Sequence, residues 1–183
     1  MQTAVIFLLA CLPFFVFGQP APCGNRDCPN YTRTQQNVTG GYEVRRYDPS
    51  QWVVTSAPGR SFMRLFRYIT GANDQGAKIS MTVPVLRAKS GNTVTMMFYL
   101  PNTIVPPTPT ESGVQLLNFP QKDFFVRVFN TTSKPTPTEY LQELQALKTA
   151  VDGQYDVTVS YTAGYHGPWY TGVRHNEVWL EKL

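Results

Sequence analysis

The spacing of apolar residues changes regularly along this chain, and the changes predict its elements. Tyr42–Tyr47 alternates, Asp48-Pro49-Ser50 carries turn residues, and Gln51–Ser56 is apolar again, which predicts a hairpin. The period then lengthens. Phe62, Leu65, Phe66 and Ile69 fall at i, i+3, i+4 and i+7, the apolar face of a helix over Arg60–Thr70 that Gly71 ends. Strands are expected near Lys78–Arg87, with Pro84 late in the run, and over Thr93–Leu100, joined around Gly91-Asn92. After the Pro-rich stretch Pro101–Pro109 the same order returns. Val114–Asn118 and Phe124–Phe129 flank a turn and predict a second hairpin. Thr136, Pro137 and Glu139 stand at N-cap, N1 and N3 of a capping box. The helix they open has Tyr140, Leu141, Leu144, Leu147 and Val151 as its apolar face and Gly153 as its stop. Strands Tyr155–Thr162 and Asn176–Glu181 complete the pattern.

The order is therefore β-β-α-β-β twice over, a repetition of elements and not of sequence. Two such halves can pool their strands into one curved sheet or barrel and lay a helix against each half, burying both apolar stripes. This predicts an α+β fold: a distorted antiparallel β-barrel with two flanking α-helices. The domain is expected over 42–183, behind a polar, Pro- and Gly-rich arm over 19–41.

The first residues change the picture. Met1–Gly18 carries no charge, is apolar from Ala4 to Phe17 and ends on a small residue, as a secretory signal does. A membrane anchor is the alternative, but the run is shorter than the ~20 residues a span requires. No later segment is apolar and long enough to cross a bilayer. Cys11 falls inside this leader, so Cys23 and Cys28 remain as an even pair, expected to form a disulfide in an oxidising compartment. A zinc site would need two further ligands nearby, and the segment has none. Asn30, Asn37 and Asn130 each head an Asn-x-Thr triplet, so each is an expected N-glycosylation position on the surface. Net charge is only +4, from 16 Lys/Arg against 12 Asp/Glu, without a dense basic run, which argues against a nucleic-acid partner.

Candidate chemistry concentrates on the first helix. Arg60, Arg64 and Arg67 sit at i, i+4 and i+7, on the face opposite the apolar stripe. A helix that is greasy on one side and cationic on the other suits a flat apolar ligand bearing carboxylates. The alternative is a solvated polar face. The chain lacks a nucleophile elbow, a zinc-protease helix, a phosphate loop and a close carboxylate pair on one helix face, so it reads as a binder and not as an enzyme.

Several stretches in order resemble the SOUL family of heme-binding proteins: Tyr42-Glu-Val-Arg-Arg-Tyr47, Trp52-Val-Val-Thr55, Tyr68-Ile-Thr-Gly-Ala-Asn73, Lys78-Ile-Ser-Met-Thr-Val-Pro-Val85, Tyr161-Thr-Ala-Gly-Tyr165 and Asn176-Glu-Val-Trp-Leu180. The resemblance covers essentially everything after Gly41. It implies a distorted antiparallel barrel with two helices, and binding of heme or another tetrapyrrole for transport or sequestration. On that reading Arg60, Arg64 and Arg67 would meet two propionates, since seven residues of helix rise about 10 Å. Met63, Met81 and Tyr165 would wall the ligand, with ordinary packing as the alternative, while Phe62 and Phe66 are expected in the core. His166 and His175, the only histidines, are candidate iron ligands or plain loop residues. One departure stands out. Some family members carry a His just before the second Tyr of the first motif, where this chain has Arg46. The turn Ala57–Arg60 also looks short. A second reading is therefore a secreted, glycosylated interaction protein that keeps the fold and has lost heme binding.

Overall fold

A computed structural model describes residues 23–183; the expected signal, Met1–Gly18, lies outside the described residues. In chain order the elements are β1 (Tyr31–Asn37), β2 (Tyr42–Tyr47), β3 (Ser50–Thr55), α1 (Ser61–Ile69), β4 (Val85–Ser90), β5 (Thr93–Leu100), β6 (Gln115–Phe119), β7 (Lys122–Thr131), α2 (Pro137–Val151), β8 (Ser160–Gly164) and β9 (Arg174–Glu181). All strands join one antiparallel sheet in the order β1-β2-β7-β9-β8-β4-β5-β3-β6. The sheet curls into an incompletely closed barrel with both helices on its outer face, the α+β architecture expected.

The two expected hairpins do not form. Strand β2 pairs with β1 and β7, while β3 pairs with β5 and β6. Likewise β6 pairs with β3, and β7 with β2 and β9. Pro49 has no amide hydrogen to donate to a ladder, and the chain turns there from one half of the sheet into the other. Each half thus lends its first strand to the other. Exchanging the halves maps β2 onto β6, β7 onto β3, β9 onto β5 and β8 onto β4, which leaves the strand order from β2 to β6 unchanged. The duplication of element order is real, but its strands are swapped across the repeat.

Other boundaries also moved. The arm contains a strand: β1 runs antiparallel to β2, with Tyr31 opposite Tyr47. Residues 78–84 approach the sheet outside any strand, through a cis Val83–Pro84 bond, and the ladder begins only at Val85. Val83 still donates its amide to the Asp27 carbonyl. Strand β8 starts at Ser160, five residues later than expected.

Alternation divides the core into three clusters. The inner face holds Trp52, Tyr99, Phe124, Trp179 and their neighbours, including Cys23 at 6% exposure. The outer face carries one cluster under each helix, Leu65, Tyr68 and Ile69 over Val53, Phe98 and Leu100, and Leu147 and Val151 over Val44, Val178 and Leu180. Cys23 and Cys28 are bonded, as expected. Their loop lies against the inner cluster, with the Arg26 guanidinium donating to the Tyr165 carbonyl. Aromatic side chains and this loop fill the inside of the barrel, so a ligand surface has to be sought elsewhere.

Candidate ligand-binding site

Helix α1 begins abruptly. Arg60, its N-cap, takes the left-handed conformation (φ 52°) and provides no side-chain cap, although its carbonyl accepts the Arg64 amide. The helix then buries Leu65, Tyr68 and Ile69. Phe62 and Phe66, expected in the core, are 39% and 38% exposed, and Met63 is 45% exposed. The buried stripe lies one position round the helix from the one the apolar spacing predicts. Tyr68 takes the place in the core because its hydroxyl can reach the Pro107 carbonyl, and so Phe62 and Phe66 rotate to the rim. Their rings stack at 6.0 Å, and Phe62 also meets Phe98 edge-on at 5.2 Å. Met63 lies between this phenyl pair and the arginine row.

Of the three arginines, Arg60 and Arg67 are exposed and Arg64 is half-buried. Arg64 and Arg67 share one carboxylate. Arg67 grips Glu111 bidentately, Nε to Oε2 at 2.9 Å and Nη2 to Oε1 at 2.6 Å, while Arg64 Nη1 reaches the same Oε1 at 2.8 Å. These bonds, Arg67's foremost, hold the Glu111 carboxyl below its ordinary pKa. Four residues therefore present a net cationic edge beside an exposed apolar strip, and a flat ligand with an anionic rim fits that pairing.

The remaining candidates lie apart from that edge or inside the core. Met81 packs half-buried against the cluster under α1. Tyr165 is 2% exposed and donates its hydroxyl to Glu177 Oε2 at 2.9 Å. His175 spends Nε2 on Glu177 Oε1 at 2.6 Å. His166 stacks on Tyr170 at 4.0 Å, and burial, with the nearby charges of Arg26 and Arg174, keeps its pKa below the ordinary value. His175 thus has Nε2 committed to a carboxylate, and the His166 ring lies flat on a phenol. No group of acidic, Cys or His side chains able to hold a metal ion occurs among the described residues. The two best-formed hollows among them do not involve α1. One, of about 10 Å³, lies between Tyr47, Trp52, Phe124 and Trp179. The other, about 300 Å³, is an open polar cleft beside Asn130, Ser133 and Val173. Ligand pockets run from about 300 to 1,000 Å³; the first hollow is far smaller, and the second is open to solvent.

Arg46, where the departure from the family motif falls, makes a bidentate surface pair with Asp123 at 2.8 and 2.9 Å. Asn30 and Asn130 are exposed; the Asn37 side-chain amide donates to the Tyr42 hydroxyl at 3.1 Å.

Two features escaped the reading of the sequence. Glu111 is more than 40 residues from the arginines it serves, and nothing in a Pro-rich loop announces such a partner. Glu177 did leave a trace, since it lies two before Trp179 on the inward side of its strand. It is fully buried and accepts from Arg45, Tyr165, His175 and Trp179. Burial pushes its pKa up, but the Arg45 charge and these donors overcome that and hold it at about 2.

The family model of the SOUL heme-binding protein matches residues 26–181. Heme-binding protein 2 of Homo sapiens is 35% identical over 161 residues, covering 77% of this chain and 78% of that protein. Heme-binding protein 1 of Mus musculus is 29% identical over 141 residues, covering 70% and 73%. Among solved structures, a hydrolase from Listeria innocua aligns with a TM-score of 0.52 at 11% identity, covering 76% of this chain and 90% of that one, a likeness of fold alone.

Proposed function

The chain belongs to the SOUL heme-binding family, and from that premise we propose that it binds heme or a related tetrapyrrole on the outer flank of α1. The observation that carries this reading is the exposed strip Phe62, Met63 and Phe66 running beside Arg60, Arg64 and Arg67. The macrocycle would lie over the phenyl pair and the Met63 thioether, which adapts its shape to an apolar ligand. Its carboxylates would face the guanidiniums, which form forked bonds to carboxylates. Exposed ion pairs are worth only ~0–1 kcal/mol each, so apolar contact supplies most of the affinity. In this reading heme is cargo, and the protein a secreted carrier or sink for it. The apolar uncharged leader and the Cys23–Cys28 bond support export.

A hemin titration followed at the Soret band tests the reading. The expected result is a saturable shift at micromolar protein; no shift rejects it. A second reading, a glycosylated interaction protein that keeps the fold without the ligand, draws support from the filled barrel and the carboxylate already seated on Arg64 and Arg67. Replacing Arg60, Arg64 and Arg67 by Ala separates the two. Weakened hemin binding favours the carrier, and unchanged binding leaves the arginines as a solvated face.

A further inference from the structure

Glu111 stands where a ligand's carboxylate would stand. Its Oε1 accepts from both Arg64 Nη1 and Arg67 Nη2, and its Oε2 accepts from Arg67 Nε. The loop that carries it, between β5 and β6, is fastened just before it. The Tyr68 hydroxyl donates to the Pro107 carbonyl at 2.8 Å, Thr108 and Asp74 exchange bonds of 2.8 and 2.9 Å, and Asn73 bridges to Pro109. The backbone at Glu111 is thus placed beside α1 by contacts that do not involve its carboxylate, so the side chain can swing away while the loop stays. Arg64 is not fully served by this arrangement: its Nε is buried without an acceptor.

Resting on the reading of α1 as the tetrapyrrole surface, we propose that Glu111 is a built-in counter-ion that competes with a ligand's carboxylates for Arg64 and Arg67, so that it weakens binding of tetrapyrroles with free acid groups and leaves that of esterified ones untouched. An apolar ligand without acid groups gains nothing from the guanidiniums, because Glu111 keeps them. A ligand with free carboxylates exchanges one acid for another, and Glu111 goes to water. Removing the Glu111 charge therefore strengthens binding of acidic ligands and leaves esterified ones alone.

The test measures binding of protoporphyrin IX and of its dimethyl ester, by fluorescence, to the full chain and to Glu111→Gln. With exposed pairs worth ~0–1 kcal/mol each, the variant should bind the free acid about three- to tenfold more tightly. Its affinity for the ester should not change. Glu111→Asp, which keeps the charge on a shorter arm, should fall between, and it carries the test if the Gln variant melts early. Unchanged affinity for both ligands overturns the counter-ion role while the α1 reading stands. Equal tightening for both also overturns it, because that marks a loosened loop. Binding of neither ligand by either protein overturns the α1 reading itself.

Discussion

Glu177 shows how one residue can hold a barrel interior together. Arg45 approaches it at 3.0 Å, and that guanidinium also contacts Glu43, the Tyr47 hydroxyl at 3.0 Å and the Tyr31 ring at 4.4 Å. Removing one member of a buried charged pair costs about 3–5 kcal/mol, because the partner is left uncompensated. Glu177→Gln should lose about that much in chemical denaturation. The pH dependence has a definite sign. The carboxyl's ordinary value is 4.5 and its folded value about 2, so its stabilisation is complete above 4.5 and drains away as pH falls towards 2. Acid titration of stability should show this loss in the wild type and not in the Gln variant. Among the candidate site residues, the nearness of Arg64 and Arg67 was legible from spacing, while Arg60 falls outside the helix as its N-cap. The exposure of Phe62 and Phe66 was not legible, because a buried Tyr counts as polar in an apolar stripe while its hydroxyl finds a carbonyl the sequence does not reveal.

Elements with local signals formed as expected. Helix α2 begins at Pro137 with the full capping box: the Thr136 hydroxyl accepts the Glu139 amide, and the Glu139 carboxylate accepts the Thr136 amide at 2.7 Å. Thr136→Ala should cost about 1 kcal/mol, read as a lower midpoint in urea with an unchanged slope. Beneath α1, Leu65 is fully buried, and Leu65→Ala should cost about 2–5 kcal/mol through the cavity it leaves. Strand pairing was the part sequence could not supply. Alternation says which side chains share a face but not which strand lies alongside, and a corner at Pro49 looks the same whether the chain folds back or crosses over. β1 was hidden for a related reason: Tyr31-Thr-Arg-Thr-Gln-Gln-Asn37 is polar on both faces, so only its pairing with β2 marks it as a strand.

At the scale of the whole molecule, two swapped halves make a sheet whose inner face is filled, which leaves the proposed ligand surface on the outer side. The disulfide loop completes the filling. Breaking it with Cys23→Ser and Cys28→Ser should lower stability by about 2 kcal/mol on the loop-entropy scale. It should also raise binding of a hydrophobic dye, as the inner cluster loses its cover. With the interior occupied, the proposed ligand surface is the flank of α1, where exposed aromatic and thioether groups border cations. Amide chemical shifts recorded while zinc protoporphyrin is titrated into isotope-labelled protein test that placement most directly. The account predicts shifts concentrated in residues 61–69 and in the loop around Glu111. Shifts confined to the inner strands or to the loop around His166, or none at saturating ligand, would contradict it.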